Sequence, residues 1–267
     1  MRPAKRALIV ARPTPGHGSS VVDFYDALAP WYHLVYQDWE ASIARQGEAL
    51  GSLLTREWGT GVRRLLDVTV GVGTQALGLA ARGYEVIGSD ISASAVHRAT
   101  AEAARRGLPL RCFVADVRAV AARSASADAV LACDNSLPHL LSEDEIRIGL
   151  RECLRCLRPG GGCVISLRDY GSPPAHGTEE TKDYGDRAWA GRACRLRQVW
   201  WWRGEVYDVA FELVATDGTA EVVLRTPQAS YLAVSVSRVA ALMESVGFKN
   251  VRRIDGCLFQ PVLVGTR

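Results

Sequence analysis

An apolar run, a glycine turn and a helix-period segment follow one another in Leu65-Leu66-Asp67-Val68-Thr69-Val70-Gly71-Val72-Gly73-Thr74, and the next apolar run ends at Ser89-Asp90. Few chains with that succession avoid a β-α-β unit, because strands paired in parallel need a crossover between them, usually a helix. The glycines let the turn backbone approach a ligand closely, and a carboxylate closing the second strand is placed to accept the hydroxyls of a ribose. The turn also has a plainer reading, since glycine serves any turn that needs positive φ or close packing. Other positions have to decide.

Gly71-Val72-Gly73-Thr74-Gln75-Ala76 fits the loose G-x-G-x-x-A pattern of dinucleotide sites. Asp67 opposes it, because a carboxylate inside the turn would repel a pyrophosphate. Beside a ligand with a cationic amino-acid tail the same acid is an asset. The segment therefore points to S-adenosylmethionine rather than NAD.

At 267 residues the chain has room for one α/β domain with an insertion, not for two large domains. With 48% hydrophobic residues and a formal charge of +3 spread over scattered arginines, it reads as a soluble globule without a nucleic-acid stripe. Neither a secretory signal nor an apolar span of membrane length is visible. The seven cysteines lie mostly in apolar runs (Cys112, Cys133, Cys163) or on an expected helix (Cys153, Cys156). Buried thiols in a reducing cytoplasm are expected, and Cys153-x-x-Cys156 reads as helix packing rather than a zinc pair. No His, Asp or Glu cluster has metal-ligand spacing. A homo-oligomer is neither indicated nor excluded.

Residues 1–20, with Pro3, Pro13, Pro15 and a Gly-His-Gly-Ser-Ser run, read as a flexible leader. Residues 21–60 read as a helical lid. Two short pieces carry Phe24, Tyr25, Trp31, Tyr32 and Tyr36 around Pro30, and an amphipathic helix follows from Asp38 to about Trp58. Residues 61–170 read as the cofactor-binding core, with strands at 64–68, 84–89, 109–114, 128–133 and 162–167 and helices at 74–82, 92–106 and 143–157. Such alternation gives a Rossmann-like, mostly parallel sheet with helices on both faces. Residues 171–191, rich in glycine, proline and charge, read as a mobile loop. It opens a small antiparallel β insertion spanning 171–235, with strands at 196–202, 205–214 and 221–225 and turns at Arg203-Gly204 and Asp217-Gly218. Residues 236–267 return to the core through a helix at 236–246 and strands near 250–254 and 258–265.

Four places carry candidate chemistry. Asp90 either holds a ribose or caps the helix that begins near Ser92. Asp116, after the third strand, either takes an adenine amino group or caps and solvates a loop. Asp134-Asn135-Ser136-Leu137-Pro138-His139 ends the fourth strand, at the edge where parallel sheets meet their ligands; His139 either accepts a proton or holds backbone. Arg168-Asp169-Tyr170 ends the fifth, where Arg168 either clamps an acceptor carboxylate or phosphate or pairs with Asp169 at the surface. The run Trp200-Trp201-Trp202 reads as strand packing, with at least one ring facing the core and one the rim.

Together these positions resemble a class I S-adenosylmethionine-dependent methyltransferase from about residue 22 to the C-terminus. That implies a seven-stranded, mostly parallel sheet whose last strand is antiparallel, where a dinucleotide fold would add another parallel unit. More narrowly, Tyr25-Asp26-Ala27-Leu28-Ala29, Tyr32-His33-Leu34-Val35-Tyr36-Gln37-Asp38-Trp39 and Ser42-Ile43-Ala44-Arg45-Gln46-Gly47 are similar to the glycine/sarcosine N-methyltransferase-like group. So are Gly71-Val72-Gly73-Thr74-Gln75-Ala76-Leu77-Gly78-Leu79-Ala80, Asp134-Asn135-Ser136-x-x-His139-Leu140 and Leu167-Arg168-Asp169-Tyr170. That group often loses the first glycine of its D-x-G-x-G-x-G turn, as Thr69 shows here. The resemblance implies that Asp67, Gly71 and Gly73 hold the methionine tail, Arg45 its carboxylate, Asp90 and Ile91 the ribose, and Asp116 and Val117 the adenine, with Tyr32 and Asp134 also on the cofactor. Tyr25, Tyr36, Asn135, Arg168 and Tyr170 would meet the acceptor, and Tyr25, Tyr36 and His139 are the catalytic candidates. The expected reaction is in-line methyl transfer to a small molecule, first of all an amine nitrogen, leaving S-adenosylhomocysteine. The amine must arrive neutral, which His33, His139 or desolvation would arrange. Methylation of carbon or oxygen in a natural-product intermediate, an NAD-dependent oxidoreductase, and a protein that binds the cofactor without turnover are the alternatives.

Overall fold

Capping residues set where the helices start. The computed structural model describes residues 20–216 and 221–267. Ser20 and Asp23 form a capping box on α1 (Val21–Leu28), a 3-10 segment (Ala29–Val35) follows through Pro30, and Asp38 caps α2 (Trp39–Trp58). Then β1 (Arg64–Asp67), α3 (Thr74–Ala80), β2 (Glu85–Asp90), α4 (Ala93–Arg105), β3 (Arg111–Val114), β4 (Ala127–Ala132), α5 (Glu143–Cys156) and β5 (Leu157–Ser166) succeed one another. An insertion contributes β6 (Glu179–Trp189), β7 (Arg192–Arg203), β8 (Val206–Thr216), β9 (Glu221–Arg225) and β10 (Ala229–Leu232). The chain then closes with α6 (Val236–Val246), β11 (Lys249–Ile254) and β12 (Val262–Thr266).

The main sheet has the order β11-β12-β5-β4-β1-β2-β3. β1 pairs in parallel with β2 and β4, while β12 runs antiparallel to both β5 and β11. This is the mostly parallel, seven-stranded sheet with an antiparallel last strand that the resemblance implied. Apolar side chains of α2, α3 and β1 fill one face, and those of α5, α6 and β5 the other, where Cys153 and Cys156 are buried as packing residues. A third core joins α1 and the 3-10 segment to the insertion through Phe24, Trp31, Trp200 and Phe211.

One helix crossing depends on glycine. A Cβ at Gly78 would lie 2.3 Å from the Ile43 carbonyl oxygen, and one at Gly47 would lie 2.5 Å from the Gly78 backbone. α2 can therefore cross α3 backbone to backbone only because both positions lack a side chain.

Several boundaries differ from the sequence reading. Residues 179–189, expected as part of a mobile loop, form the edge strand β6 paired with β7. The segment shows no clear apolar alternation because it is an edge strand, with Lys182 exposed and Tyr184 and Arg187 reaching the cleft. β10 was not foreseen, and the strand expected at 258–265 starts only at Val262, after bends through Gly256 with φ +73°. Trp200 and Trp202 both point inward, and Trp201 turns outward to donate to Glu179. The leader, apart from Ser20, and the Asp217-Gly218 turn lie outside the described residues. No described helix is long and apolar enough to cross a membrane.

Candidate active site

The carboxyl ends of β1, β2 and β4 open into a cavity of about 310 Å³, floored by Val68, Thr69 and Gly71 and walled by Asp90, Ile91, Asp116 and Val117. Gly71 takes φ +52° with nothing within 4 Å of where a Cβ would stand, and Gly73 takes φ +94°. Asp90 accepts from the Gly71 N–H at 2.9 Å and the Ser92 N–H at 3.0 Å, so it ties the glycine turn to the second strand. It is not the cap of α4; Ser92 is, through the Ala95 N–H. Burial raises the Asp90 carboxyl above its ordinary value, and the backbone donors offset part of that rise.

Asp67 sits behind Val68 and Thr69 rather than in the lining. Its Oδ1 accepts from the Thr69 N–H, while its buried Oδ2 has no donor. Burial pushes the carboxyl up to about 7, with the Asp90 charge adding to the rise. An unmatched buried acid beside an open glycine turn suits a ligand with a cationic tail and is unfavourable to a pyrophosphate. The residues present thus fit S-adenosylmethionine, and the antiparallel β12 also tells against the dinucleotide alternative. Gly73 is likewise outside the lining, and Asp116 braces its loop by accepting from the Arg118 N–H at 2.8 Å. Its carboxylate is held by the Arg118 guanidinium, which pairs with Glu145 as well, and that ion pair lowers its pKa.

A second cavity, about 750 Å³, lies between the N-terminal helices and the inner face of the insertion. The two meet at Tyr25, Tyr32, Tyr36, Gln75 and Asp134, which line both. Tyr36 donates to Asp134 at 3.0 Å and Tyr32 at 3.4 Å. The loop that presents Asp134 is strained, with φ +64° there and +65° at Asn135. The end of β5 holds it in that shape. Ser166 accepts the Asn135 N–H through its carbonyl and the Asp134 N–H through its hydroxyl, while the Asn135 side chain accepts the Arg168 N–H and donates to the Tyr170 hydroxyl. Asn135 therefore braces the turn through both ends of its amide while also lining the second cavity. Tyr170 is likewise braced, between Asn135 and the Tyr207 hydroxyl.

His139 is read unambiguously from its partners. The Ser230 carbonyl can only accept, so Nδ1 donates to it at 3.0 Å, and Nε2 accepts the Tyr25 hydroxyl at 2.9 Å. Burial lowers the His139 pKa to about 4, so the ring is neutral across the physiological range. Burial raises Tyr25 well above the ordinary phenol value, and it stays an O–H. The pair is a neutral hydrogen-bonded brace. His33 accepts from Arg98 outside both cavities, which removes it as a base.

Arg45 donates to Ser42 and reaches the second cavity near the Gln46–Gln75 hydrogen bond. Arg168 does not pair with Asp169, which is taken by Arg253; it turns inward over the Trp200 ring, 4.6 Å from its centroid. Sequence reasoning missed Asp26, whose carboxylate docks α1 on the start of α4 by accepting from Ser92 Oγ and Ser94 N–H. It also missed the insertion's contribution to the second cavity. The signal was present in the period-two placement of Gln198 and Trp200 and of Tyr207, Val209 and Phe211.

Comparisons with known proteins bear on this arrangement. Residues 65–161 match a family model described as a methyltransferase domain. The chain is 28% identical over 155 residues to the glycine/sarcosine N-methyltransferase of Halorhodospira halochloris, covering 58% of this chain and 56% of that protein. It is 31% identical over 151 residues to the enzyme of the same name from Parasynechococcus marenigrum (strain WH8102), covering 56% of this chain and 51% of the relative. The match thus spans about half the length of these relatives. In fold it is similar to the sugar N-methyltransferase KedS8 from Streptoalloteichus sp ATCC 53650, with a TM-score of 0.72 at 19% identity over 98% of this chain and 99% of that one. It is also similar to the amino pentose methyltransferase CalS10 from Micromonospora echinaspora, solved with its methyl donor bound, with a TM-score of 0.70 at 18% identity over 88% and 94% of the two chains. Residues 65–161 thus carry a methyltransferase domain, and the fold of the whole chain is similar to that of S-adenosylmethionine-dependent methyltransferases.

Proposed function

We propose that the chain methylates the nitrogen of a small-molecule amine. The observation that carries this reading is the junction of the two cavities, where Asp134 and three tyrosine hydroxyls converge. A nitrogen bearing hydrogens finds acceptors there, in the Asp134 carboxylate and the hydroxyl oxygens. A phenol or alcohol oxygen would need a base to take its proton, and His139 is committed to Ser230 and Tyr25 with its pKa lowered. The relatives named for nitrogen methylation support the same reading.

The donor would be held by Asp90 at the ribose, by Val117 and the Asp116–Arg118 pair at the adenine, and by Arg45 with the Asp67 turn at the amino-acid end. When bound, S-adenosylmethionine supplies a methyl group already activated on a cationic sulfur. The chain's own residues do the rest. Asp134 and the tyrosines orient the amine, the aromatic walls exclude water and favour the uncharged amine, and Tyr25 is fixed by His139 so that its oxygen faces the junction. Incubation with S-adenosylmethionine and a panel of amines tests the reading by mass spectrometry. Formation of S-adenosylhomocysteine with the new methyl group on nitrogen supports it. A methyl group on oxygen or carbon, or binding without turnover across the panel, overturns it.

A further inference from the structure

The glycine/sarcosine N-methyltransferases to which the chain is similar are named for a very small acceptor, but this second cavity is not built for one. Its volume of about 750 Å³ falls within the roughly 300–1,000 Å³ of sites that enclose drug-sized ligands. Its far wall is the inner face of β7 and β8, where Trp200, Tyr207 and Phe211 present rings, with Trp200 and Tyr207 stacked at 4.5 Å. A simple amino acid would leave most of that surface uncovered.

The wall also carries positive charge without matching acids. Arg168 lies over Trp200, and the Lys182 ammonium lies over the same ring, 3.5 Å from its centroid. Lys182 stands opposite Gln198 in the β6–β7 register, so it lies on the same sheet face as Gln198 and Trp200, exposed at the rim of the cavity rather than in its lining. Among the described residues, neither cation has a carboxylate within ion-pair distance. Glu180, on the same face and opposite Trp200, pairs with neither, and Asp169 is taken by Arg253. Arg187, a third cation of this wall, donates only to the backbone carbonyls of Leu34 and Asp186. Like charges held together beside an aromatic ring are unfavourable until an anion joins them.

We infer that the acceptor is an extended amine with a flat portion that lies along the Trp200–Tyr207 wall and an anionic group that Arg168 and Lys182 receive together. The inference rests on the proposed reading of this cavity as the acceptor site. It goes beyond that reading by assigning Lys182 and the insertion sheet to the selection of substrate.

The test uses the full chain saturated with S-adenosylhomocysteine, titrated calorimetrically with 4-(aminomethyl)benzoate, 4-(aminomethyl)phenylphosphonate and the neutral 4-(aminomethyl)benzamide. The two anions should bind at least about tenfold more tightly than the amide, the scale of a charge-assisted contact. Lys182→Gln, a change at an exposed position on the edge strand, should cut that preference at least about threefold. Arg168→Gln should abolish it, with the amide bound as before in both variants. Equal binding of the three probes, an undiminished preference in both variants, or no binding of any probe overturns the inference. The preceding S-adenosylhomocysteine titration separates the failures. Binding there with no preference among the probes overturns only this inference, whereas no binding there overturns the proposed function as well.

Discussion

The two cavities are built by different means. The smaller one is centred on a glycine turn and the strand ends that Asp90 ties together, with Tyr25, Tyr32, Tyr36 and the segment after β4 closing over it. The larger one is made of side chains from α1, α2, the ends of β4 and β5, and the insertion, brought together from across the chain. A backbone site constrains its ligand by shape and a few fixed donors, and it tolerates little change. A side-chain site can be rebuilt ring by ring. Under the proposed function the difference makes donor and acceptor recognition separable, the two cavities meeting at the three tyrosines, Gln75 and Asp134.

The largest expected effect breaks the first cavity alone. Asp90→Ala removes the acceptor that ties Gly71 to β2 and the expected partner of the ribose. S-adenosylhomocysteine binding should weaken by about 1.5–3 kcal/mol, the scale of hydrogen bonds to charged groups, or roughly ten- to a hundredfold. Calorimetric titration measures this directly. An unchanged affinity would reduce Asp90 to a turn brace and blur the distinction between the two sites. Next comes Gly78→Ala, which places a methyl group against the Ile43 carbonyl at the α2–α3 crossing. Overpacking of this kind costs about 1–3 kcal/mol, and a chain of this size should lose several degrees of Tm in calorimetry. A neutral outcome would show that α2 can slide, and with it Arg45.

The contrast also sorts what the sequence could reveal. The strand–helix alternation, the glycine turn and Asp90 were legible because each depends on neighbours a few residues away. The two left-handed residues at Asp134 and Asn135 were not, since their strain is maintained by Ser166 and Arg168 on another strand. β6 was read as a loop because an edge strand facing a cleft needs no apolar alternation. Arg168 was marked as a candidate, but its partner could not be chosen. Asp169 is adjacent in sequence, whereas Trp200 comes near only through the insertion.

Proton linkage sharpens the comparison further, because buried acids of the first site and the histidine of the junction act in opposite directions. Asp67 has its folded pKa raised to about 7, so the folded state binds more protons than the unfolded state between about pH 4 and 7, and stability falls as pH rises through that window. Asp90, also raised, adds to the fall. His139 has its folded pKa lowered to about 4, so the unfolded state binds more protons between about 4 and 6.5, and stability rises with pH there. Denaturant unfolding from pH 4 to 7 should show the two trends opposing in the unmodified chain. Asp67→Asn should leave a steeper rise with pH, and should weaken S-adenosylhomocysteine binding about tenfold if the acid faces the cationic tail. A pH profile unaltered by this substitution would mean that Asp67 is not the proton-binding group.

The smallest expected effect lies at the junction itself. Tyr25→Phe deletes one hydroxyl while leaving the ring in its edge-on contact with Phe24. His139 Nε2 then loses its donor, and the Tyr231 hydroxyl loses its acceptor. A net hydrogen bond is worth about 1 kcal/mol, so Tm should fall only slightly. Cofactor affinity should stay within about twofold, because the Tyr25 ring that lines the first cavity is kept and Asp90, Asp116 and the glycine turn are untouched. The methyl-transfer rate should fall several-fold at saturating acceptor, without any new inflection in its pH profile, since neither Tyr25 nor His139 changes charge between pH 6 and 9. A new inflection in that range would show that the pair carries a proton during the reaction. The junction would then be an acid–base site, and the separation between the two cavities would extend to their chemistry as well as their construction.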